Sequence, residues 1–351
     1  MLSELHNKWP ILQSKHNLVI NNKAVRDLTI TDDLSLKEML QRLDINAGIQ
    51  LYIHTKAKGF SWYANNPQIA LEVIHCSPFQ VHEIDFPLDS EISDEIYAEA
   101  ISTLSNDLLD RIRVLDLAQA SEYTMRELIS PVLVRALCLV DSHRTQKTGK
   151  KTGLDRVRLI CDKQVSGSSG HGPIDYVMSY LNVLIVLGEA KHGDLYGGLH
   201  QNLVQQYNAL EFLADIIVGS GVVGSKRSAA FLDTMVQLRG LGTYGITSTG
   251  KEWIFSRLLP SKTDPSKTVV FRSPIFSLLI SASYSDLEIP VMKSQLGTLL
   301  RTIVSMIFSQ KKSVDDFDFF KTDYIQSCLR TTQVAFGEDA SDYGSDDDEE
   351  E

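Results

Sequence analysis

Cysteine is scarce in this chain of 351 residues. The four that occur are Cys76, Cys138, Cys161 and Cys328. They are widely spaced and no two form a Cys-x-x-Cys motif, so the sequence lacks the pattern of a zinc site or of a disulfide framework. Reduced thiols in an intracellular compartment are the simplest interpretation.

Long apolar runs are also missing from the sequence. The run from Val183 to Leu187 is among the longest, whereas a membrane-spanning helix needs about 20 apolar residues. The N-terminus has no basic start followed by an apolar stretch, so we expect no secretory signal peptide. These absences predict an intracellular protein without a membrane partner.

Basic residues are outnumbered, but the negative charge is concentrated at one end. The formal net charge is −11, and residues 338–351 contain nine acids and no base. We expect residues 336–351 to form a disordered acidic tail. The rest of the chain is nearly neutral, and residues 144–163 are locally basic.

The basic stretch bears on a nucleic-acid partner, because such binding depends mostly on neutralisation of phosphates by lysine and arginine. The overall charge argues mildly against such a partner, and the local stretch argues mildly for one. The candidate phosphate contacts in this stretch are Lys147, Lys150, Lys151, Arg156 and Arg158.

Residues 1–88 are predicted to form a small α+β domain. A helix is expected over Leu34–Leu43. The strands are expected at Leu18–Asn21, Val25–Ile30, Gln50–His54 and Ala70–His75. A linker with proline and acidic residues follows at residues 85–91.

Residues 93–335 are predicted to form an α/β domain with a mixed sheet flanked by helices. Helical spacing indicates helices over residues 93–117, from Ser121 onward, over 196–213 and over 296–308. Pro131 predicts a kink or break in the second of these. Strands are expected at 156–165, 174–180 and 183–191, and a hairpin at 243–255.

Two carboxylates and a lysine lie on adjacent predicted strands. Side chains two apart in a strand point to one face, so Glu189 and Lys191 project together. If the strand that carries Asp175 pairs with the next one, both carboxylates can meet at one edge of the sheet. Such oxygens suit Mg²⁺ or Mn²⁺, and Lys191 could orient or deprotonate water or stabilise charge on a phosphate.

Two helices contribute further candidates to this centre. Glu122 falls on the inward face of its helix and could assist a metal, or it could pair with Arg126 four residues later. Gln201 and Gln205 share one helix face and could bind phosphate, position the lysine or simply be solvated. The bland alternative for Glu189 and Lys191 is an exposed ion pair of little energetic value.

The pattern of Asp175 with Glu189-Ala-Lys191 resembles the signature of the PD-(D/E)XK, or restriction-endonuclease-like, nuclease superfamily. The wider sequence is similar to the nuclease-like domains of crinkler effectors over roughly residues 115–310. The similar segments are Ser166-Gly-Ser-Ser-Gly-His-Gly-Pro-Ile-Asp-Tyr176, Glu189-Ala-Lys-His192, Gln201-Asn-Leu-Val-Gln205 and Tyr244-Gly-Ile-Thr-Ser-Thr-Gly-Lys-Glu-Trp253.

The resemblance implies a restriction-endonuclease-like core and a metal-dependent nuclease, with DNA favoured over RNA as substrate. It implies metal binding by Asp175 and Glu189 with help from Glu122, catalysis by Lys191, and a supporting role for Gln201. His192 and Gln205 could contact phosphate. A nuclear location, in a host cell if the protein is a secreted effector, fits this class. The alternative is a catalytically inactive nuclease-fold protein that binds nucleic acid or host proteins.

Overall fold

Two predicted strands near the N-terminus form an antiparallel hairpin, β1 (Leu18–Asn22) and β2 (Val25–Ile30). The computed structural model describes residues 18–22, 25–30, 58–117, 119–149, 156–181, 183–218, 234, 237–264, 266–281 and 288–317. The predicted helix 34–43, the strand 50–54, Lys150, Lys151 and the acidic segment 336–351 lie outside these residues.

The chain divides into two compact units between Lys58 and Gly59, earlier than the predicted boundary at residue 88. The short strand β3 (Lys58–Gly59) lies at this division. Helices α1 (Phe60–Ala64) and α2 (Pro67–Val73) follow and pack on a later helix of the larger unit. Strand β4 (Val81–Glu83) joins the sheet of that unit, so residues 59–83 belong to the larger unit.

The predicted strand at Ala70–His75 is wrong, because most of it lies in helix α2. Pro67 occupies the first turn of this helix, where a missing backbone N–H costs nothing. The apolar residues that resembled a strand instead pack as a helix face, with Ala70 and Ile74 fully buried.

Two long helices follow, α3 (Asp94–Val114) and α4 (Glu122–Thr148). Ser121 caps α4 by accepting a hydrogen bond from the Thr124 N–H. The helix runs on through Pro131, so of the predicted kink or break the break does not occur. Proline leaves the carbonyl of Glu127 without its usual donor, and the guanidinium of Arg111 on α3 donates to that carbonyl instead, at 3.3 Å.

The larger unit is built on a mixed sheet. Its strands are β5 (Arg158–Ser166), β6 (Gly170–Tyr180), β7 (Val183–Ala190), β8 (Thr243–Ser248), β9 (Glu252–Pro260), β10 (Thr268–Arg272) and β11 (Phe276–Ser277). The central order is β6-β7-β8-β9-β10-β4, with β5 beside β6 and β11 beside β9. Strand pairs β7–β8 and β10–β4 are parallel and the others on this path are antiparallel.

Helix α5 (Leu195–Val218) follows β7 and packs against β7, β8 and β9. Because β7 and β8 are parallel, a crossover must separate them, and α5 lies in that connection. The last described helix, α6 (Glu288–Asp316), packs against α3 and α4.

The sheet is covered by helices on both faces. Tyr176 and Met178 of β6 point into a core shared with α3, α4 and α6. Val177, between them, points into a second core shared with α1, α2 and α5. Since neighbouring strand residues face opposite sides, these cores form separate layers. The predicted α/β class with a mixed sheet flanked by helices is confirmed. Among the described residues, none of the helices combines the length and hydropathy needed to span a bilayer.

Candidate active site

Asp175 and Glu189 meet where β6 and β7 pair. The antiparallel register sets Tyr176 opposite Gly188, which brings Asp175 beside the end of β7. The Ala190 N–H donates to Asp175 Oδ2 at 2.8 Å. Both carboxylates are buried, with relative exposures of 5% for Asp175 and 3% for Glu189. The expected juxtaposition therefore occurs, in an environment where unpaired charge is costly.

Lys191 extends back over Glu189 from the first position after β7. Its Nζ lies 2.7 Å from Glu189 Oε1, and its side chain is only 15% exposed. This pair is not the surface ion pair of the bland alternative. The backbone of α5 passes so close that a Cβ at Gly198 would lie 2.6 Å from Lys191 Cγ. A glycine at this point of α5 leaves room for the lysine chain.

Buried amides of α5 hold the Glu189 carboxylate from its other side. Gln201 Nε2 donates to Oε1 at 2.6 Å, and Gln205 Nε2 donates to Oε2 at 2.8 Å. Asn202 Nδ2 in turn donates to Gln205 Oε1 at 3.2 Å. The solvated-face interpretation of this helix is wrong. Gln205 is fully buried, so in this structure it orients Glu189 and cannot reach a nucleic acid.

The first turns of α4 bring a third carboxylate to the centre. Glu122 Oε2 lies 3.6 Å from Lys191 Nζ, and Glu122 Oε1 lies 3.6 Å from Arg126 Nη2. Glu122 is therefore paired with Arg126, as one sequence interpretation expected, and it also lies beside Lys191; its metal role stays a prediction. The glutamate is 40% exposed, which places it at the mouth of the centre.

Arg126 and Asp162 complete the centre and were not predicted as site residues. Arg126 Nη2 donates to Asp175 Oδ1, and Nη1 donates to Asp162 Oδ1 at 2.8 Å. Asp162 has a left-handed backbone with φ of 51°, which acidic residues tolerate better than most. In the sequence, Arg126 was indicated only by its position four residues after Glu122, and no feature of the sequence indicated that Asp162 belongs to the centre.

The electrostatics follow from burial of like charges. Burial and the neighbouring Asp175 charge raise the pKa of Glu189 to about 7. Burial also raises the pKa of Asp175, against the opposing effects of the Ala190 N–H and of Arg126. For Lys191, burial alone would lower the pKa of the ammonium, but the neighbouring acids Glu189, Glu122 and Asp175 together outweigh this and raise it. The lysine therefore stays charged at neutral pH.

The donor atoms suit a hard divalent cation in their chemistry. Carboxylate and amide oxygens are what Mg²⁺ prefers, and the buried Gln201 Oε1 has no hydrogen-bond partner. The arrangement of these donor atoms is less complete as a metal site. Among the described residues, no three His, Cys, Asp or Glu side chains are arranged around one ion position. Two cations of the protein, Arg126 and Lys191, already neutralise the buried acids.

The remaining predicted phosphate contacts do not gather at this centre. Lys147 and Arg156 lie at the other end of α4, where Lys147 pairs with Glu91 at 3.0 Å and Arg156 with Asp141 at 2.9 Å. Arg158 is exposed at the start of β5, and His192 is exposed just after Lys191. Of these side chains, His192 is the one adjacent to the centre in sequence.

Comparison with family models and with curated proteins finds no match for this chain. The site must therefore be interpreted from its own residues and from their arrangement.

Proposed function

We propose that this protein is a Mg²⁺- or Mn²⁺-dependent nuclease with a restriction-endonuclease-like core. The supporting observation is the convergence of Asp175, Glu189 and Lys191 at the ends of two paired strands. Buried acids cost free energy unless they are partnered, and metal binding is one reason for a protein to keep two of them together. The resemblance to crinkler effectors favours DNA as substrate and a nuclear site of action.

Asp175 and Glu189 would hold the ion, and Glu122 would assist from the mouth of the centre. When bound, the divalent ion supplies Lewis-acid activation of the phosphate and of a water nucleophile. Gln201 and Gln205 keep the Glu189 carboxylate aimed at the centre by donating to both of its oxygens. Such positioning amides reduce the reorganisation needed when substrate arrives.

Lys191 would stabilise negative charge on the phosphate rather than remove a proton from water. Its pKa is raised by Glu189, and a base needs a pKa near or below the working pH to accept a proton. The ammonium is within hydrogen-bond distance of Glu189, so it lies beside the position of the ion. Of the three roles that the sequence allows, the raised pKa argues against deprotonation of water and favours a role in which Lys191 stays positively charged.

A second candidate function is a catalytically inactive nuclease-fold protein that binds nucleic acid or host proteins. The observation that favours it is the contact of Arg126 with Asp175. A guanidinium there neutralises the acid without metal, as a chain that had lost catalysis could do.

Cleavage assays separate the two candidates. Plasmid, single-stranded DNA and RNA are incubated with the protein in Mg²⁺ or Mn²⁺, and Asp175→Ala and Lys191→Ala serve as matched variants. Cleavage that requires metal and is lost in both variants would establish the nuclease and its substrate. Absence of wild-type cleavage on every substrate would leave the binding protein.

A further inference from the structure

Arg126 is a strongly held cation inside the candidate centre. It contacts three acids from three elements: Asp175 of β6, Asp162 of β5 and Glu122 of its own helix. Its side chain is 18% exposed, and its guanidinium lies 5.0 Å from the ring centre of Tyr123. Arg126 therefore has three acidic partners, whereas an ordinary salt bridge has one.

The contact with Asp175 engages one of the two oxygens through which this carboxylate would bind a metal ion. Asp175 Oδ2 already accepts the Ala190 N–H, and Oδ1 accepts Arg126 Nη2. Both oxygens of this buried carboxylate are therefore engaged without a metal. A divalent cation approaching Oδ1 would meet a guanidinium, and two cations at one carboxylate oppose each other.

The contacts of Arg126 do not all depend on Asp175. Its Nε is buried without a hydrogen-bond partner, so the present contacts do not use the whole guanidinium fork. The partly exposed Asp162 and Glu122 offer anchors on the solvent side of Asp175. A guanidinium that left Asp175 would still have these two acids as partners.

We infer that Arg126 is an internal competitor of the divalent metal at Asp175: it holds the metal-free centre together and must leave Asp175 before the ion binds there. The inference rests on the proposed metal site and adds its regulation. It makes Arg126 a positioning residue whose removal strengthens metal binding, whereas removal of a merely structural arginine would weaken it or leave it unchanged.

The test is a titration with Mn²⁺ alone, followed by the electron paramagnetic resonance of the free ion. Arg126→Met should bind Mn²⁺ at least about tenfold more tightly than the wild type, because a like charge is removed from the ion position. Asp162→Asn removes one partner of the arginine and leaves Asp175 unchanged. We expect this variant to bind Mn²⁺ more weakly than the wild type, the opposite of Arg126→Met, because the guanidinium then relies more on Asp175. Asp175→Ala should lose the ion.

A matched control is Arg301→Met. Arg301 of α6 is 22% exposed, pairs with Asp94 and lies 4.0 Å from the ring centre of Tyr97, so it resembles Arg126 in burial and partners. This variant should bind Mn²⁺ as the wild type does. If Arg126→Met destabilises the fold, Arg126→Gln, which keeps a polar side chain without the charge, is titrated instead, and equal or weaker Mn²⁺ binding by that variant contradicts competition.

The outcomes separate this inference from the nuclease proposal. Equal or weaker Mn²⁺ binding by Arg126→Met overturns the inference, even if the wild type cleaves DNA. Tighter binding by Arg126→Met supports it, even if neither protein cleaves. Failure of every variant to bind Mn²⁺ overturns the inference together with the metal site.

Discussion

The two ends of helix α4 carry similar charges in different surroundings. At its N-terminal end, Arg126 contacts Asp175, which is almost fully buried, and Glu122 lies beside the part-buried Lys191. At its C-terminal end, Lys147 pairs with Glu91, and these side chains are 62% and 54% exposed. That end lines a cavity of about 410 Å³ together with part of α6.

The difference shows that burial, rather than charge itself, distinguishes the candidate centre. Exposed ion pairs are screened by water and contribute little. Buried carboxylates pay a desolvation cost and must be partnered, and their pKa values move as a result. The basic stretch that pointed to nucleic acid in the sequence contributes Lys147 and Arg156 to the solvated end, away from Asp175 and Glu189.

The sharpest test of this contrast compares one lysine from each end. Lys191→Met should lower metal-dependent cleavage by about 100-fold or more, because it removes a fixed positive charge beside the reacting phosphate. Lys147→Met should change the rate by no more than about twofold, since its charge is solvated and paired. Initial rates on one DNA substrate measure both, and similar losses in the two variants would contradict the comparison.

A second test uses pH and the stability of the metal-free protein. The folded state holds the Glu189 proton more tightly than the unfolded chain does, since its pKa rises from 4.5 to about 7. The contribution of Glu189 to stability is therefore fully present below pH 4.5, decreases as pH rises toward 7, and is lost above that. The loss is on the order of 3 kcal/mol.

Urea unfolding in EDTA at pH 5 and pH 8 measures this effect. Glu189→Gln should show a smaller fall between the two pH values than the wild type, because the amide does not titrate. Glu91→Gln, at the solvated end of α4, should keep the wild-type dependence. An identical fall in Glu189→Gln and the wild type would show that Glu189 titrates as an ordinary carboxyl.

A third test concerns the amide that orients Glu189. Gln205→Met keeps the approximate shape of the side chain but removes its donor to Glu189 and its acceptor for Asn202. We expect a loss of about 1–3 kcal/mol in the free energy of unfolding, because buried polar partners are left unsatisfied. Chemical denaturation at pH 8 provides the value, and a neutral effect would mean that water replaces the amide.

The smallest expected effect is at the exposed pair. A double-mutant cycle with Lys147→Met and Glu91→Gln should give a coupling of about 0–1 kcal/mol. It should decrease further in 1 M salt, where charges are screened within about 3 Å. A coupling of several kcal/mol would contradict the view that this end of α4 is solvated.

Much of the sheet and part of the site could be predicted because they depend on local pattern. The apolar run Val183–Leu187 predicted a buried central strand, and β7 is buried along nearly its whole length. The strand period placed Glu189 and Lys191 on one face, and they are in contact. The error at residues 70–75 arose where packing overrode local preference, because that segment lies mostly in helix α2.

The sequence by itself determined which side chains of one strand or helix share a face, because those periods follow from backbone geometry alone. It also placed Asp175 near Glu189, since a short connection joins β6 and β7. Only the tertiary structure decided that Arg126 lies between Asp162 and Asp175, which are 36 and 49 residues further along the chain. That contact depends on how α4 packs beside β5 and β6, and no local period specifies it.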